Sequence, residues 1–137
     1  METRPDYKVV LVVDDEVFAR LLAVQIFLDL GYTVLEAEDA GQALDVLDRN
    51  DDVGLLFTDI NMPGVMDGIE LVRHVRNQRP QIRCIATSGR ENPNSDALGP
   101  IRFLAKPYSA LHLTEAIQAE EISACADTSL HPRLRAA

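Results

Sequence analysis

Several short apolar runs in this sequence end in residues that can bind a metal ion or act as nucleophiles. The polar groups at these ends are Asp14-Asp15-Glu16, Asp59, Thr87-Ser88-Gly89 and Lys106-Pro107. If the runs are parallel strands, their carboxyl ends meet at one edge of a sheet, where open α/β sheets bind ligands. We therefore expect three carboxylates, a hydroxyl and an ammonium group to converge at that edge.

The residue types in this predicted cluster favour a divalent cation and a phosphoryl group. Crowded carboxylates repel one another and need a cation, and all-oxygen ligands favour Mg²⁺, which can also bind phosphate oxygens. A carboxylate beside such a metal can attack a phosphoryl group and form an acyl phosphate. Lys106 would neutralise charge on the phosphoryl oxygens, and Ser88 would donate a hydrogen bond to one of them. The only lysines are Lys8 and Lys106, against 11 arginines, so a compact ammonium at position 106 is informative.

Apolar runs alternate with helical periodicity along the chain, which predicts an α/β fold with a parallel sheet. The predicted strands are Val9–Val13, Thr33–Ala37, Val53–Thr58, Ile82–Thr87 and Ile101–Leu104. The first run has five consecutive apolar β-formers, which is typical of a strand covered on both faces.

Helices are predicted between these strands from spacing and from capping residues. The first helix is indicated by apolar residues at helical spacing, namely Phe18, Leu21, Leu22, Ile26 and Leu30, and Gly31 follows as a left-handed C-cap. Asp39 and Ser109 are predicted to cap two further helices. The pair Asp67 and Glu70 has the spacing of a capping box.

Two stretches depart from this regular alternation. Between Gly89 and Pro100, two prolines and a glycine leave about five residues for a helix, so we expect a mobile loop with at most one helical turn. The last helix should end near Ser123, and the tail beyond it has no apolar period and should be frayed. The predicted organisation is a lead of residues 1–7, a domain of residues 8–123 and a tail of residues 124–137.

Composition and charge exclude several classes of protein. A chain of 137 residues that is 47% hydrophobic fits one packed domain. The net charge of −9 repels phosphate backbones, so no nucleic-acid partner is expected. No apolar run approaches the ~20 residues of a membrane span, and the first residues resemble no signal peptide. Cys84 and Cys125 lack metal-ligand spacing, so we interpret them as free thiols in a reducing, cytoplasmic compartment.

Five motifs, taken in order, resemble those of response-regulator receiver domains. They are Asp14-Asp15, Asp59-Ile60-Asn61-Met62-Pro63, Asp67-Gly68, Ser88-Gly89 and Lys106-Pro107-Tyr108. Each motif alone is weak, but together they are specific, and the resemblance covers residues 8–123. It implies a flavodoxin-like three-layer sandwich with a five-stranded parallel sheet of order 2-1-3-4-5. The sequence adds that the fourth helix of that fold is short or absent here.

The resemblance also implies how the acidic residues would act. Asp59 would be the phosphoacceptor, and Asp15 and Asp59 would ligate Mg²⁺ directly. Asn61 would add its backbone carbonyl to the metal, and Asp14 would hold a metal-bound water.

Other residues of these motifs would respond to the phosphoryl group. Ser88 would move onto it, Lys106 would pair with it, and Phe103 occupies the aromatic switch position. The Lys106–Pro107 peptide bond is expected to be cis. Two departures from the family pattern accompany these matches: Phe103 has no hydroxyl to bond when the ring rotates, and the loop of residues 64–68 is one residue longer than usual.

Ordinary structural roles stay open for several of these residues. Thr87 competes with Ser88 for the hydroxyl role, and Phe103 could be a plain core residue. Glu16 could simply be an acidic residue at a helix N-terminus. The histidines have no partner at ligand spacing and are interpreted as surface residues: His74, His112 and His131.

The sequence thus predicts a single-domain response regulator that accepts a phosphoryl group from a phosphohistidine onto Asp59 with Mg²⁺. The donor would be a histidine kinase or a histidine phosphotransfer protein. The protein would switch binding of a downstream partner or relay the phosphoryl group, as a monomer or weak dimer with no membrane partner. It would be a switch with at most weak autodephosphorylation, and not a metabolic enzyme.

Three alternatives compete with this prediction. The chain could be the detached receiver of a hybrid histidine kinase. A phosphatase of the haloacid-dehalogenase type needs Asp-x-Asp at the first strand, whereas Asp14 and Asp15 are adjacent. A flavin-binding module would need a Ser/Thr-rich phosphate loop after the first strand, which this sequence lacks.

Overall fold

A five-stranded parallel sheet forms the centre of the molecule. The computed structural model describes residues 8–62, 64, 66–89 and 101–130, with side chains described as far as residue 122. The strands are β1 (Val9–Val13), β2 (Thr33–Ala37), β3 (Leu55–Asp59), β4 (Arg83–Ser88) and β5 (Arg102–Ala105). Every adjacent pair is parallel, and the order is β2-β1-β3-β4-β5. The predicted fold class and strand order are confirmed, with strand ends shifted by one or two residues.

Four helices are present in the described part of the chain: α1 (Val17–Asp29), α2 (Ala40–Arg49), α3 (Gly68–Gln78) and α4 (Ala110–Leu130). The predicted caps are confirmed. The Asp39 carboxylate accepts a hydrogen bond from the backbone N–H of Gln42 at 2.8 Å, and Asp67 and Glu70 form a reciprocal capping box. At α4, the Ser109 hydroxyl oxygen accepts from the N–H of His112 at 3.0 Å. Each cap satisfies an N–H that the helix itself leaves unpaired.

Helix α4 is longer than the sequence pattern indicated. Its predicted end near Ser123 is wrong, because the helix continues to Leu130. Residues 124–130 contain neither glycine nor proline, so no residue there interrupts the backbone hydrogen bonding. The segment between Gly89 and Pro100 lies outside the described residues. The predictions for this segment, a mobile loop in place of a full helix between β4 and β5, therefore stay predictions. The division at residue 123 stays a prediction.

Among the described residues, the core consists of two apolar clusters, one on each face of the sheet. Side chains alternate along a strand, so Leu11 and Val13 of β1 face α2 and α3, whereas Val10 and Val12 face α1 and α4. All five residues of β1 are buried. This double burial explains the unbroken apolar run in the sequence and gives the three layers of the sandwich. It also anchors the strand whose end carries the first acidic pair.

Helix α1 buries a different face from the one its apolar spacing suggested. Its buried residues are Ala23, Ile26 and Phe27, and Leu30 is partly buried. Phe18, Leu21 and Leu22, which helped to predict the helix, are exposed. Because the helix carries apolar residues on more than one face, periodicity could predict the helix but could not select the face that packs.

Candidate metal and phosphoryl site

The carboxyl ends of four strands meet at one edge of the sheet, as the sequence predicted. Asp59 is the last residue of β3 and lies opposite Thr87 of β4, while Ser88 of β4 lies opposite Ala105 of β5. Just beyond the strands, the backbone N–H of Asp14 donates to the carbonyl of Ala37 at 3.2 Å. These pairings place the polar strand ends level with one another.

Lys106 lies at the centre of the acidic residues. Its Nζ is 3.0 Å from Asp14 Oδ2, 3.2 Å from Asp59 Oδ2 and 3.4 Å from Glu16 Oε1. The side chains of Lys106, Asp14 and Asp59 are all largely buried. Charge-assisted hydrogen bonds in such surroundings are shorter and stronger than neutral ones. Glu16, which the sequence left as an acidic residue at a helix start, thus also faces the ammonium group.

The Asp59 carboxylate is held at both of its oxygens. Oδ1 accepts a hydrogen bond from the backbone N–H of Asn61 at 2.9 Å, and Oδ2 faces the ammonium of Lys106. The residue is only 5% exposed. Two partners on opposite oxygens fix the orientation of the carboxylate, which is the condition for a positioned nucleophile.

Asp14, Asp15 and Asp59 form the group that could hold a metal ion. Their carboxylate oxygens lie within 4.8 Å of one another. Asp15 is exposed, whereas the other two are buried, so the group opens to solvent on one side. The three ionised carboxylates exceed the one Lys106 charge by two, and Glu16, which also faces Lys106, adds a further negative charge. A hard divalent cation with oxygen ligands and some retained waters matches this donor set.

Burial and charge shift the titration of two of these groups. Burial raises the pKa of the Asp14 carboxyl, although the N–H of Glu16 and the ammonium of Lys106 oppose that shift. Burial by itself would lower the pKa of Lys106, but its contacts with Asp14 and Asp59 outweigh burial and raise it. Lys106 therefore stays charged throughout the physiological range and can serve as a permanent cation at the site.

The structure distinguishes the two candidate hydroxyl groups, those of Thr87 and Ser88, by their hydrogen-bond partners. The side-chain amide of Asn61 donates a hydrogen bond to the Ser88 hydroxyl oxygen. Thr87 and Ser88 are adjacent in β4, so their side chains point to opposite faces of the sheet. The Thr87 hydroxyl has no hydrogen-bond partner within the described part of the structure. Ser88 is thus the hydroxyl that reaches Asn61, and its role toward a phosphoryl group stays a prediction.

Phe103 lies on β5 beside this serine. It is opposite Ala86 in the register, two residues before Ser88, so Phe103 and Ser88 share the face of the sheet that packs against α2 and α3. The ring is partly buried and packs against that core cluster. The position fits both a core residue and an aromatic switch, and the switch role stays a prediction. The Lys106–Pro107 bond is cis, as expected.

Two residues that support the site received no role from sequence reasoning. Arg20 of α1 donates to the backbone carbonyl of Asp14 at 2.8 Å and pairs with Glu36 of β2 at 3.1 Å, so it ties α1 and two strands together. Gly68 begins α3 directly against the end of β3, where a β-carbon would lie 2.1 Å from the carbonyl oxygen of Asp59. The Asp-Gly motif was visible in the sequence, but this close approach exists only in three dimensions.

Three described residues take no part in the site: His74, His112 and Cys84. His74 and His112 are exposed, in line with the surface interpretation, and His131 lies outside the described residues. Cys84 is a buried free thiol, and burial raises its pKa to about 12. The side chain of Cys125 is not among those described. Among the described helices, none has both the length and the apolar character required to cross a membrane.

Comparison with known proteins agrees with this geometry. The family model "Response regulator receiver domain" matches residues 10–118. The chain belongs to this family. Receiver domains are the phosphoacceptor modules of two-component signalling, and the flavodoxin-like sheet order found here is that of the family. The resemblance inferred from the five motifs is thereby confirmed.

Individual relatives match over most of their length. The chemotaxis protein CheY homolog of Campylobacter jejuni is 36% identical over 115 residues, which are 79% of this chain and 88% of that protein. Sporulation initiation phosphotransferase F of Bacillus subtilis is 29% identical over 113 residues, or 80% of this chain and 90% of that protein. A crystal structure of the CheX–CheY–BeF3–Mg²⁺ complex from Borrelia burgdorferi is similar with a TM-score of 0.73 and 28% identity, covering 82% and 87% of the two chains.

Proposed function

We propose that this receiver domain takes a phosphoryl group from a phosphohistidine onto Asp59 in a Mg²⁺-dependent reaction. The observation that carries the proposal is the setting of Asp59, whose two oxygens are held by Asn61 and Lys106 beside the carboxylates of Asp14 and Asp15. A carboxylate held in this way is pre-oriented for attack, and the same edge offers both a cation site and a fixed positive charge.

In the proposed transfer, a carboxylate oxygen of Asp59 attacks the phosphorus atom of the phosphohistidine. The new O–P bond forms as the P–N bond breaks, and the electron pair leaves with the imidazole nitrogen, which takes a proton from solvent. Lys106 neutralises the charge on the transferred phosphoryl oxygens, and Ser88 donates a hydrogen bond to one of them. The product is an acyl phosphate on Asp59.

The metal would be held by Asp15 and Asp59 directly, by the backbone carbonyl of Asn61, and by Asp14 through water. When bound, Mg²⁺ supplies positive charge to the phosphoryl oxygens and neutralises the crowded carboxylates. The three clustered carboxylates and their opening at Asp15 support this assignment. The Lys106 ammonium, 3.2 Å from Asp59 Oδ2, adds a further positive charge for the phosphoryl oxygens.

The surroundings of the site support a protein as phosphodonor. Next to Lys106 there is a cavity of about 360 Å³, lined mainly by Ala19, Leu22, Pro107 and Tyr108, with Glu16, Gly89 and Lys106 itself. On the neighbouring surface of α1, Phe18 is 86% exposed. An exposed apolar surface of this kind marks a site of protein contact. We propose that a histidine kinase or a histidine phosphotransfer protein docks here, and that phosphorylation then changes the binding of a downstream protein or passes the phosphoryl group onward.

The test uses a small acyl phosphate, acetyl phosphate, as donor. Wild-type protein with Mg²⁺ should gain the mass of one phosphoryl group in intact-mass spectrometry, and Asp59→Asn should gain none, because the amide is isosteric but not nucleophilic. Asp45→Asn, an exposed carboxylate on α2, is the matched control and should be phosphorylated like wild type. Removal of Mg²⁺ with a chelator should abolish the reaction. Undiminished phosphorylation of the Asp59→Asn protein would refute the assignment.

A further inference from the structure

Asn61 connects the two residues that the proposed phosphorylation would bring together, Asp59 and Ser88. Its backbone N–H donates to Asp59 Oδ1 at 2.9 Å, and its side-chain amide donates to the hydroxyl oxygen of Ser88. Asn61 follows β3 and Ser88 ends β4, so the second bond spans two strands. One residue therefore contacts both the proposed acceptor and the hydroxyl that should move toward it.

We infer that the Asn61 side chain holds Ser88 in its resting position and so opposes the phosphorylated arrangement. This inference rests on the proposed function, because it assigns Asn61 as a positioning residue for that reaction. To donate a hydrogen bond to a phosphoryl oxygen on Asp59, the Ser88 hydroxyl must leave the place where it accepts from Asn61. The hydrogen bond therefore favours one of two states and shifts the equilibrium between them.

The exposure of the two partners sets the strength of this effect. Ser88 is fully buried, whereas Asn61 is exposed. When the bond breaks, water can satisfy the Asn61 amide, so breaking this particular bond costs close to the net value of one hydrogen bond. That value corresponds to a change of about two- to tenfold in an equilibrium constant. Asn61 would thus tune the switch without preventing it.

Asn61→Ala tests this inference cleanly, because it removes only the side chain. The backbone N–H that contacts Asp59 and the backbone carbonyl proposed for the metal both remain. The probe is beryllofluoride with Mg²⁺, a phosphoryl mimic, and its affinity is measured by isothermal titration calorimetry. Asn61→Ala should bind the mimic about two- to tenfold more tightly than wild type.

A double-substitution cycle shows whether the effect passes through Ser88. In a Ser88→Ala background, Asn61→Ala should leave the affinity for beryllofluoride unchanged, because the bond is already absent. Asn77→Ala, an exposed asparagine at the far end of α3, is the matched control and should not alter affinity in either background. An equal change in both backgrounds, or weaker binding by Asn61→Ala, would overturn the inference.

A second measurement does not depend on phosphoryl chemistry. In thermal unfolding without Mg²⁺ or beryllofluoride, the midpoint shifts of Asn61→Ala and Ser88→Ala should be non-additive, since each removes the same hydrogen bond. Additive shifts would show that the bond does not couple the two residues, which would also overturn the inference. If wild type fails to bind beryllofluoride at all, the proposed function fails, and the unfolding cycle still shows whether the hydrogen bond couples Asn61 to Ser88.

Discussion

Gly68 occupies a position in which a side chain has no space. It is the first residue of α3, and a β-carbon there would lie 2.1 Å from the carbonyl oxygen of Asp59 and 2.4 Å from the Cα of Ile60. Its own N–H donates to the carbonyl of Ile60 at 3.2 Å. The start of α3 is therefore packed directly on the backbone that carries Asp59, and we predict that Gly68→Ala disturbs both stability and chemistry.

The magnitude follows from these distances. Both obstructing atoms belong to the backbone, so they cannot swing away, and restoring ordinary contact requires α3 to move by about 1 Å. Overpacking of this kind costs about 1–3 kcal/mol. For a domain of this size, a loss of about 1–3 kcal/mol lowers the unfolding midpoint by roughly 3–15 °C. The same displacement would misplace Asp59, and a 1 Å error can slow a positioned reaction by up to about 100-fold.

Gly41→Ala provides the matched control for this prediction. Gly41 is also in the first turn of a helix, but a β-carbon there would meet only Asp39 Oδ1, at an ordinary 3.4 Å. That substitution should be neutral or stabilise the protein by up to about 1 kcal/mol. Circular dichroism gives the unfolding midpoints, and phosphorylation by acetyl phosphate is followed well below both of them. If Gly68→Ala matched Gly41→Ala in midpoint and in phosphorylation rate, the close approach of α3 to β3 would be refuted.

Two further predictions concern the carboxylates. Asp15→Asn should weaken Mg²⁺ binding, measured by calorimetry. The free energy of unfolding without Mg²⁺ should stay unchanged or rise, because the substitution relieves repulsion among the three carboxylates. If the variant binds Mg²⁺ as tightly as wild type, Asp15 is not a ligand. Burial raises the pKa of Asp14 above its ordinary 3.8, so the folded state binds a proton more tightly than the unfolded state. The stability that this proton contributes is fully present below pH 3.8 and is lost as the pH rises through the raised value. In urea titrations without Mg²⁺, Asp14→Asn should remove this contribution to the pH dependence of the free energy of unfolding. If the pH dependence is the same as in wild type, the pKa of Asp14 is not raised in the folded state.

The sequence was sufficient to predict the elements because local chemistry specifies them. Apolar runs bounded by polar residues predicted all five strands, and the capping residues Asp39, Asp67 and Ser109 marked where helices begin. Each cap acts within a few residues of itself, so no distant contact is needed to recognise it. The end of α4 was predicted less well, because its last residues contain no glycine or proline that would mark a stop.

The packing of α1 shows where periodicity alone is insufficient. Phe18, Leu21 and Leu22 are as apolar as Ile26 and Phe27, yet only the last two are buried. A helix that is apolar on several faces can pack in more than one orientation, and the sheet beneath it makes the choice. Two of the exposed residues, Phe18 and Leu22, belong to the surface that we propose for the phosphodonor.

The sequence by itself determined which groups stand at the strand ends: acidic residues at Asp14-Asp15 and Asp59, a hydroxyl at Ser88 and an ammonium at Lys106. It could do so because a parallel sheet brings successive strand ends to one edge whatever the details of packing. Tertiary structure alone decided the contacts among them. Lys106 lies 47 residues from Asp59 and 92 from Asp14 along the chain. Contacts over such separations depend on strand register and on the approach of α3 at Gly68, and no local pattern encodes either of these.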